Sequence, residues 1–228
     1  IVLEASELRR SAERMQGGGG SIRVGLGSGP GALLTTPLLC HAAEQHPDLR
    51  VSITRGPTEL QLLQLRARQL DALVVDARRV APAPDLQIDP LGDQPAGFVC
   101  RADHPLLQLR RVGLEQLLRY PVASTPLSDE VARLLVEQYG PAADPQLMVS
   151  LQGEEVGSLI AAVERSQAVY LGILAAARDG LAAGRLVELK LQPALRSQAR
   201  FAYITLQGRT EAPAMSWFRR FVSTTLRD

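Results

Sequence analysis

Cysteine is scarce in this 228-residue chain: Cys40 and Cys100 are the only two, sixty positions apart. They form neither a disulfide framework nor the CxxC pairs of a zinc or redox site, and a reducing, cytosolic setting is the simpler reading. An excess of one charge is also missing. The 25 basic residues meet 24 acidic ones, for a net charge of +1. That balance leaves no concentrated basic face for a phosphate backbone and argues against direct nucleic-acid binding by this chain. Lysine is represented by Lys190 alone, a compositional bias with no functional reading. No stretch approaches the roughly eighteen apolar residues of a membrane span. The opening IVLEASELRRSAERM puts apolar residues before charges, the reverse of a secretory signal. Catalytic signatures are lacking as well: there is no GxSxG and no HExxH, and His41, His46 and His104 have no metal-like spacing. The expectation is a non-enzyme with no cofactor and no metal.

With 46% apolar residues, a chain of this size buries about 70 to 75% of the surface its unfolded form exposes, enough for a core without staples. Ala5, Leu8, Ala12 and Met15 share one helical face, so residues 1–16 read as a short amphipathic helix. GGGGS at 17–21 has too much backbone freedom to continue it and reads as a flexible joint. From Ile22 strands alternate with helices: IRVGL, a helix to His46, LRVSITR, the helix TELQLLQLRARQL, then DALVVD. This rhythm implies βαβ units and a parallel sheet, an α/β fold. Extended segments LQIDPL and AGFVCRA follow. A second alternation begins near Tyr120 with PVAST, a helix from about Ser128 to Tyr139, LMVSLQ, a helix from about Glu154 to Arg165, AVYLG, another helix and RLVELKL. QARFAYITLQ returns as a late strand before the closing helix APAMSWFRRFVSTTL. Two alternations linked by an extended connector and a late return suggest two hinged lobes joined by two crossing strands.

Binding residues are sought where strands hand over to helices, because ligands of open parallel sheets collect beyond the carboxyl ends of the strands. GLGSGPGA at 25–32 fits a GxGxxA dinucleotide fingerprint. Arg55 at the end of the second strand suits a 2′-phosphate, not the ribose of NAD. Pro30 inside the fingerprint and Pro37 interrupting the next segment weigh against a nucleotide. A small anion or polar molecule held by backbone amides and Ser28 is the preferred reading, with Gly29 beside it. Thr58 stands at the next such turn, and Thr58 with Gln61 also reads as a capping box. In the second lobe Ser124 or Thr125 lies at the matching turn, and Thr125 or Ser128 could cap the following helix. Gly153, Glu154 and Glu155 open a further helix and join the set. Within the first long helix His41 reads as a surface and Cys40 as a core position. Asp71 and Asp76 flank a strand, one of them bonding locally.

The stretch GSIRVGLGSGPGALLTTPLLCHAAEQHPDLRVSITRGPTELQLLQLRARQLDALVVD, followed by GFVCRADHPL, EEVGSLIAAVERSQAVYLG and AAARDGLAAGRLVELKL, resembles the effector-binding domain of LysR-type transcriptional regulators from Ser21 to Asp228. The resemblance implies a type 2 periplasmic-binding-protein-like fold: two Rossmann-like subdomains, 21–100 with 199–228 and 101–198, and a small-molecule effector in the cleft between them. It implies ligand contacts from Ser28, Thr58 and the Ser124 to Thr125 pair, with Phe98 and Arg101 on or beside a crossing strand as hinge or counter-ion contacts; Gly29 and Glu155 join them from the turns alone. It further implies a cytoplasmic homo-oligomer, a dimer of this domain and a tetramer of the whole regulator, with helices 31–46 and 128–139 as candidate faces. Leu33, Leu34 and Leu38 read as core in preference to interface. DNA would be met only through a winged helix-turn-helix, for which the residues before Ile22 are too few. Segment 1–16 resembles the end of the linker helix, so the chain is read as part of a longer regulator in preference to a stand-alone relative. The competing expectations are a solute-binding protein of a transport system and an NADP-dependent enzyme.

Overall fold

A computed structural model describes residues 20–208 and 212–226. The expected helix 1–16 and most of the joint at 17–21 lie outside the described residues. SIRVGL forms β1 (Ser21–Leu26), and after the single residue Gly27 the chain enters α1 (Ser28–Gln45). Pro37 lies within α1 and does not interrupt it, contrary to expectation. It is on the exposed side, and the loss is confined to the backbone bond that its missing N–H would have made. β2 (Arg50–Arg55) leads through Gly56 and Pro57 to α2 (Thr58–Arg66). That helix stops short of the expected RQL because Arg68 turns into the left-handed region at φ 55°. β3 (Ala72–Asp76) follows, its ALVV core buried on both faces as a central parallel strand requires.

LQIDPL and AGFVCRA merge into one long strand, β4 (Leu86–Arg101). Then come β5 (Val122–Ser124), α3 (Asp129–Tyr139), β6 (Val149–Gln152), α4 (Val156–Glu164), β7 (Val169–Ile173) and β8 (Leu186–Leu189). β9 (Gln198–Leu206) and α5 (Pro213–Thr225) complete the described chain.

The chain packs as two compact units. Of the described residues, the first holds those up to Val75, 82–91 and those from Ala202 onward; the second holds 76–81 and 92–201. β4 and β9 therefore each run through both. The expected limit at residue 100 falls too late, because Phe98 and Cys100 belong to the apolar core of the second unit with Leu117, Val122, Leu135 and Leu171. In the first unit β1 lies between β2 and β3, parallel to both, with Leu26 level with Arg55 and with Val74. Its core takes Ile22, Val24 and Leu26 from β1 and Leu33, Leu34 and Leu38 from α1, all buried. These leucines are core residues of their own unit. In the second unit β5 is parallel to β6 and β7, while β4 runs antiparallel to β7 and β8.

Candidate functional site

The register of β1 and β2 brings two strand-to-helix turns to the same edge of the first unit's sheet, because Leu26 and Arg55 are level as their chains leave it. The first turn is Gly27. Its N–H donates to Val74 O at 2.9 Å, which pins it to β3, and it caps α1 without any side-chain hydrogen bond. A Cβ on Gly27 would stand 3.4 Å from the Val75 backbone, in van der Waals contact with the neighbouring strand. Ser28 and Gly29, half-buried, form the first turn of α1. Pro30 has no N–H to offer, and no acidic residue stands in that turn, so the partial positive charge of the helix start is uncompensated within the helix.

The second turn carries Thr58, and here the structure corrects the expected capping box. Pro57, not Thr58, is the N-cap of α2, and no side chain caps that helix. Thr58 is 3% exposed, and its hydroxyl has no partner among the described residues. Nor is its oxygen among the sealed, unpaired atoms, so the little surface Thr58 keeps includes a free hydroxyl. Gln61 does not reach back to a cap. It is 1% exposed, and its Nε2 donates to Leu26 O at 3.1 Å and Thr54 O at 3.3 Å. One buried amide thus ties the ends of β1 and β2 and fixes the spacing of the two turns. Its Oε1 has no partner and lies 3.0 Å from where a Cβ on Gly25 would be, so Gly25 leaves it room. Sequence reasoning used Gln61 only as a cap; its i+3 spacing from Thr58 suited that role, and nothing local reveals two acceptors on other elements.

Residues 15–227 match the family model described as the LysR substrate binding domain. The chain belongs to this LysR family. It is 32% identical over 208 residues to the SDS degradation transcriptional activation protein of Pseudomonas sp. (strain ATCC 19151), an alignment covering 90% of this chain and 67% of that one. The effector binding domain of QuiR in complex with shikimate superposes with a TM-score of 0.63 at 19% identity, covering 90% of this chain and 95% of that one. The reduced regulatory domain of OxyR2 from Vibrio vulnificus gives 0.68 at 14%, covering 92% and 97%. The fold is thus the type 2 periplasmic-binding-protein-like fold of LysR domains. The chain is the ligand-binding regulatory domain of a LysR-type regulator, a reading favoured over the transport protein and the NADP enzyme.

The LysR domain uses several expected contact residues for its own folding. Ser124, at the end of β5, is fully buried and its Oγ donates to Leu171 O of β7 at 2.8 Å. Its hydroxyl is committed to joining adjacent strands. Thr125, half-buried, is the first residue of that turn with surface to offer. Ser128 proves to be the cap of α3, accepting from Val131 N–H at 3.4 Å. Glu155 caps α4, its carboxylate accepting from Gly157 N–H at 3.1 Å and Ser158 N–H at 2.5 Å. Phe98, 1% exposed, is a core side chain of the second unit. Arg101 pairs with Asp103 at 3.3 Å.

Other polar side chains are also spent internally. Arg23 holds Asp71 through two nitrogens, at 2.8 and 3.2 Å. Asp76 accepts from Arg78 N–H at 3.0 Å, the local bond expected of one of this pair. Burial pushes its carboxyl above the usual carboxylate range, with the Arg78 N–H and the Arg78 and Arg79 charges opposing. Arg78 has only 7% of its side chain exposed; it meets Gln198 O at 2.7 Å and Glu130 at 3.1 Å. His104 is buried, its Nδ1 accepting from Leu106 N–H at 3.1 Å, which leaves Nε2 to donate to Gln167 O at 3.0 Å. The two cysteines reverse part of the expectation: Cys40 is exposed on α1, while Cys100 is buried and burial lifts its thiol to about 11. His41 stacks on Trp217 at 5.7 Å between ring centroids. A groove of about 540 Å³ lined by Gly20, His46, Leu49, Pro213 and Trp217 lies by the amino end of β1, the far end of the strand from Ser28. No described helix is long and apolar enough to cross a membrane, and no described cluster of His, Cys, Asp and Glu suits a metal.

Proposed function

We propose that the LysR domain senses a small polar effector at the carboxyl-end turns of its first unit, with Thr58 as a direct contact and Ser28 and Gly29 beside it. One observation carries this reading: a hydroxyl on a residue almost wholly buried, just past a strand end, with no partner among the described residues. The hydroxyl belongs to the little surface that Thr58 keeps, so it is offered to a group outside the chain. Thr125 is the counterpart at the second unit's turn. Effector binding shifts the domain between conformations by no more than its difference in affinity for them. In a full regulator that shift alters how a separate helix-turn-helix meets DNA. The protein works in the cytoplasm as a homo-oligomer, a dimer through this domain, which its family membership supports. Activation of transcription is the matching output, since the SDS degradation relative is an activator.

The test is a thermal-shift screen of the chain against carboxylates, sulfonates, alkyl sulfates, sugars and aromatic acids, since a ligand favouring the native state raises its melting temperature. A hit whose shift is lost in Thr58→Val supports the site. A hit that binds Thr58→Val as well as the parent moves the site elsewhere.

A further inference from the structure

The charge placed at the first turn is what remains unexplained by folding. Arg55 ends β2, is exposed, and has no ion-pair or hydrogen-bond partner among the described residues. Its guanidinium does not extend into solvent at random. It lies on the first turn of α1, where a Cβ on Gly31 would stand 2.5 Å from Cζ and 2.6 Å from an Nη. A side chain at Gly31 would make the guanidinium shift from that place. A full positive charge thus rests against the partially positive start of an 18-residue helix that has neither a capping side chain nor an acid in its first turn. The Gly29 N–H in that turn finds no acceptor among the described residues either. Two like charges brought together cost stability, and a local rule broken in this way marks a functional position. The Thr58 hydroxyl, unpaired and on a 97%-buried side chain, follows Arg55 by three residues at the same sheet edge.

We infer that the effector is an anion, and that Arg55 is its counter-ion. A compact oxyanion, carboxylate or sulfate ester, neutralises the guanidinium and the helix start together; it accepts from Arg55, the Gly29 N–H and the Thr58 hydroxyl. The inference rests on the site proposed above and adds the charge class of its ligand. Gly31 is a positioning residue in this reading, because a side chain there would displace the guanidinium from the turn.

The test uses matched pairs on the whole chain: benzoate against benzyl alcohol, and butyl sulfate against butanol, read by calorimetry and thermal shift. The expected result is binding by at least one anion and by neither alcohol. Arg55→Gln should weaken that binding about tenfold or more, the scale of one hydrogen bond to a charged group. Arg55→Lys should keep part of it. Gly31→Ala retains the charge yet displaces it, so it should weaken the anion while leaving the melting temperature equal or higher, alanine being the better helix former. Binding by a neutral member that depends on Thr58 and not on Arg55 overturns the anion inference and leaves the site standing. An anion that binds all variants equally overturns both. Absence of binding by either anion at millimolar concentration also overturns the inference, because the Arg55 subsite should register these head groups.

Discussion

Replacing Thr58 by valine separates a ligand contact from a structural hydroxyl, and the two readings differ in sign. Valine has nearly the shape of threonine, so packing at this 3%-exposed position is retained. A cap lost to a non-capping residue costs about 0.5 to 2 kcal/mol. In the structure, however, Pro57 is the N-cap and the Thr58 hydroxyl bonds to no described residue. No hydrogen bond is therefore broken, and a polar group held in a mostly apolar setting is removed, which is neutral to stabilising. The expected melting temperature of Thr58→Val equals or slightly exceeds that of the parent. Effector affinity moves the other way: one neutral hydrogen bond contributes about 0.5 to 1.5 kcal/mol, or roughly a 2- to 13-fold change in Kd. Thermal melts without ligand, followed by calorimetric titration with a screening hit, measure both quantities on one sample. A fall in stability of about 1 kcal/mol or more with unchanged affinity would refute the reasoning and return Thr58 to the role of a cap.

Ser124→Ala should show the opposite pattern. It removes the 2.8 Å bond to Leu171 O inside the sheet, at a cost of about 1 kcal/mol, or some 2 to 4 °C in Tm at this chain length, while effector affinity is kept; a large affinity loss with unchanged Tm refutes the structural assignment. Asp76 gives a pH signature. Its carboxyl titrates above the ordinary range because burial disfavours the charge, so its contribution to stability is fullest below the ordinary Asp pKa and is lost as pH rises through the raised folded value. Asp76→Asn, which can still accept from Arg78 N–H, should flatten that part of the stability profile and leave the protein at least as stable at pH 7, as urea melts across pH would reveal. A thiol reagent at pH 8 should modify Cys40 promptly and Cys100 only after denaturation, since the first is exposed and the second is buried with its pKa raised to about 11; mass spectrometry of two labelled thiols in the native protein contradicts this.

Much of the architecture was legible in the sequence because its signals are local. Alternation of β-branched runs with amphipathic segments located β1, β2, β3 and the helices between them to within a few residues. Parallel pairing followed from the length of the connections. Buried DALVV and the leucines of α1 declared a core. The turns at Ser28 and Thr58 were found because any parallel sheet presents such turns at its carboxyl edge. What each polar side chain does there was decided elsewhere. Ser124 is taken up by Leu171, 47 residues away, and Gln61 by Leu26, 35 residues away. Neither acceptor leaves a trace in the residues around the donor. Thr58 and Glu155 looked alike as candidates, yet one hydroxyl is left unpaired and the other side chain closes its own helix. The seat of Arg55 likewise depends on Gly31, a residue of another element that only the folded sheet brings beneath it. Sequence alone determined which elements form and where their ends converge, because backbone preference and hydrophobic period act over a few residues. Tertiary structure alone decided which of the converging groups are spent and which are spare, because a hydrogen bond or a buried charge depends on partners that the chain order does not place together.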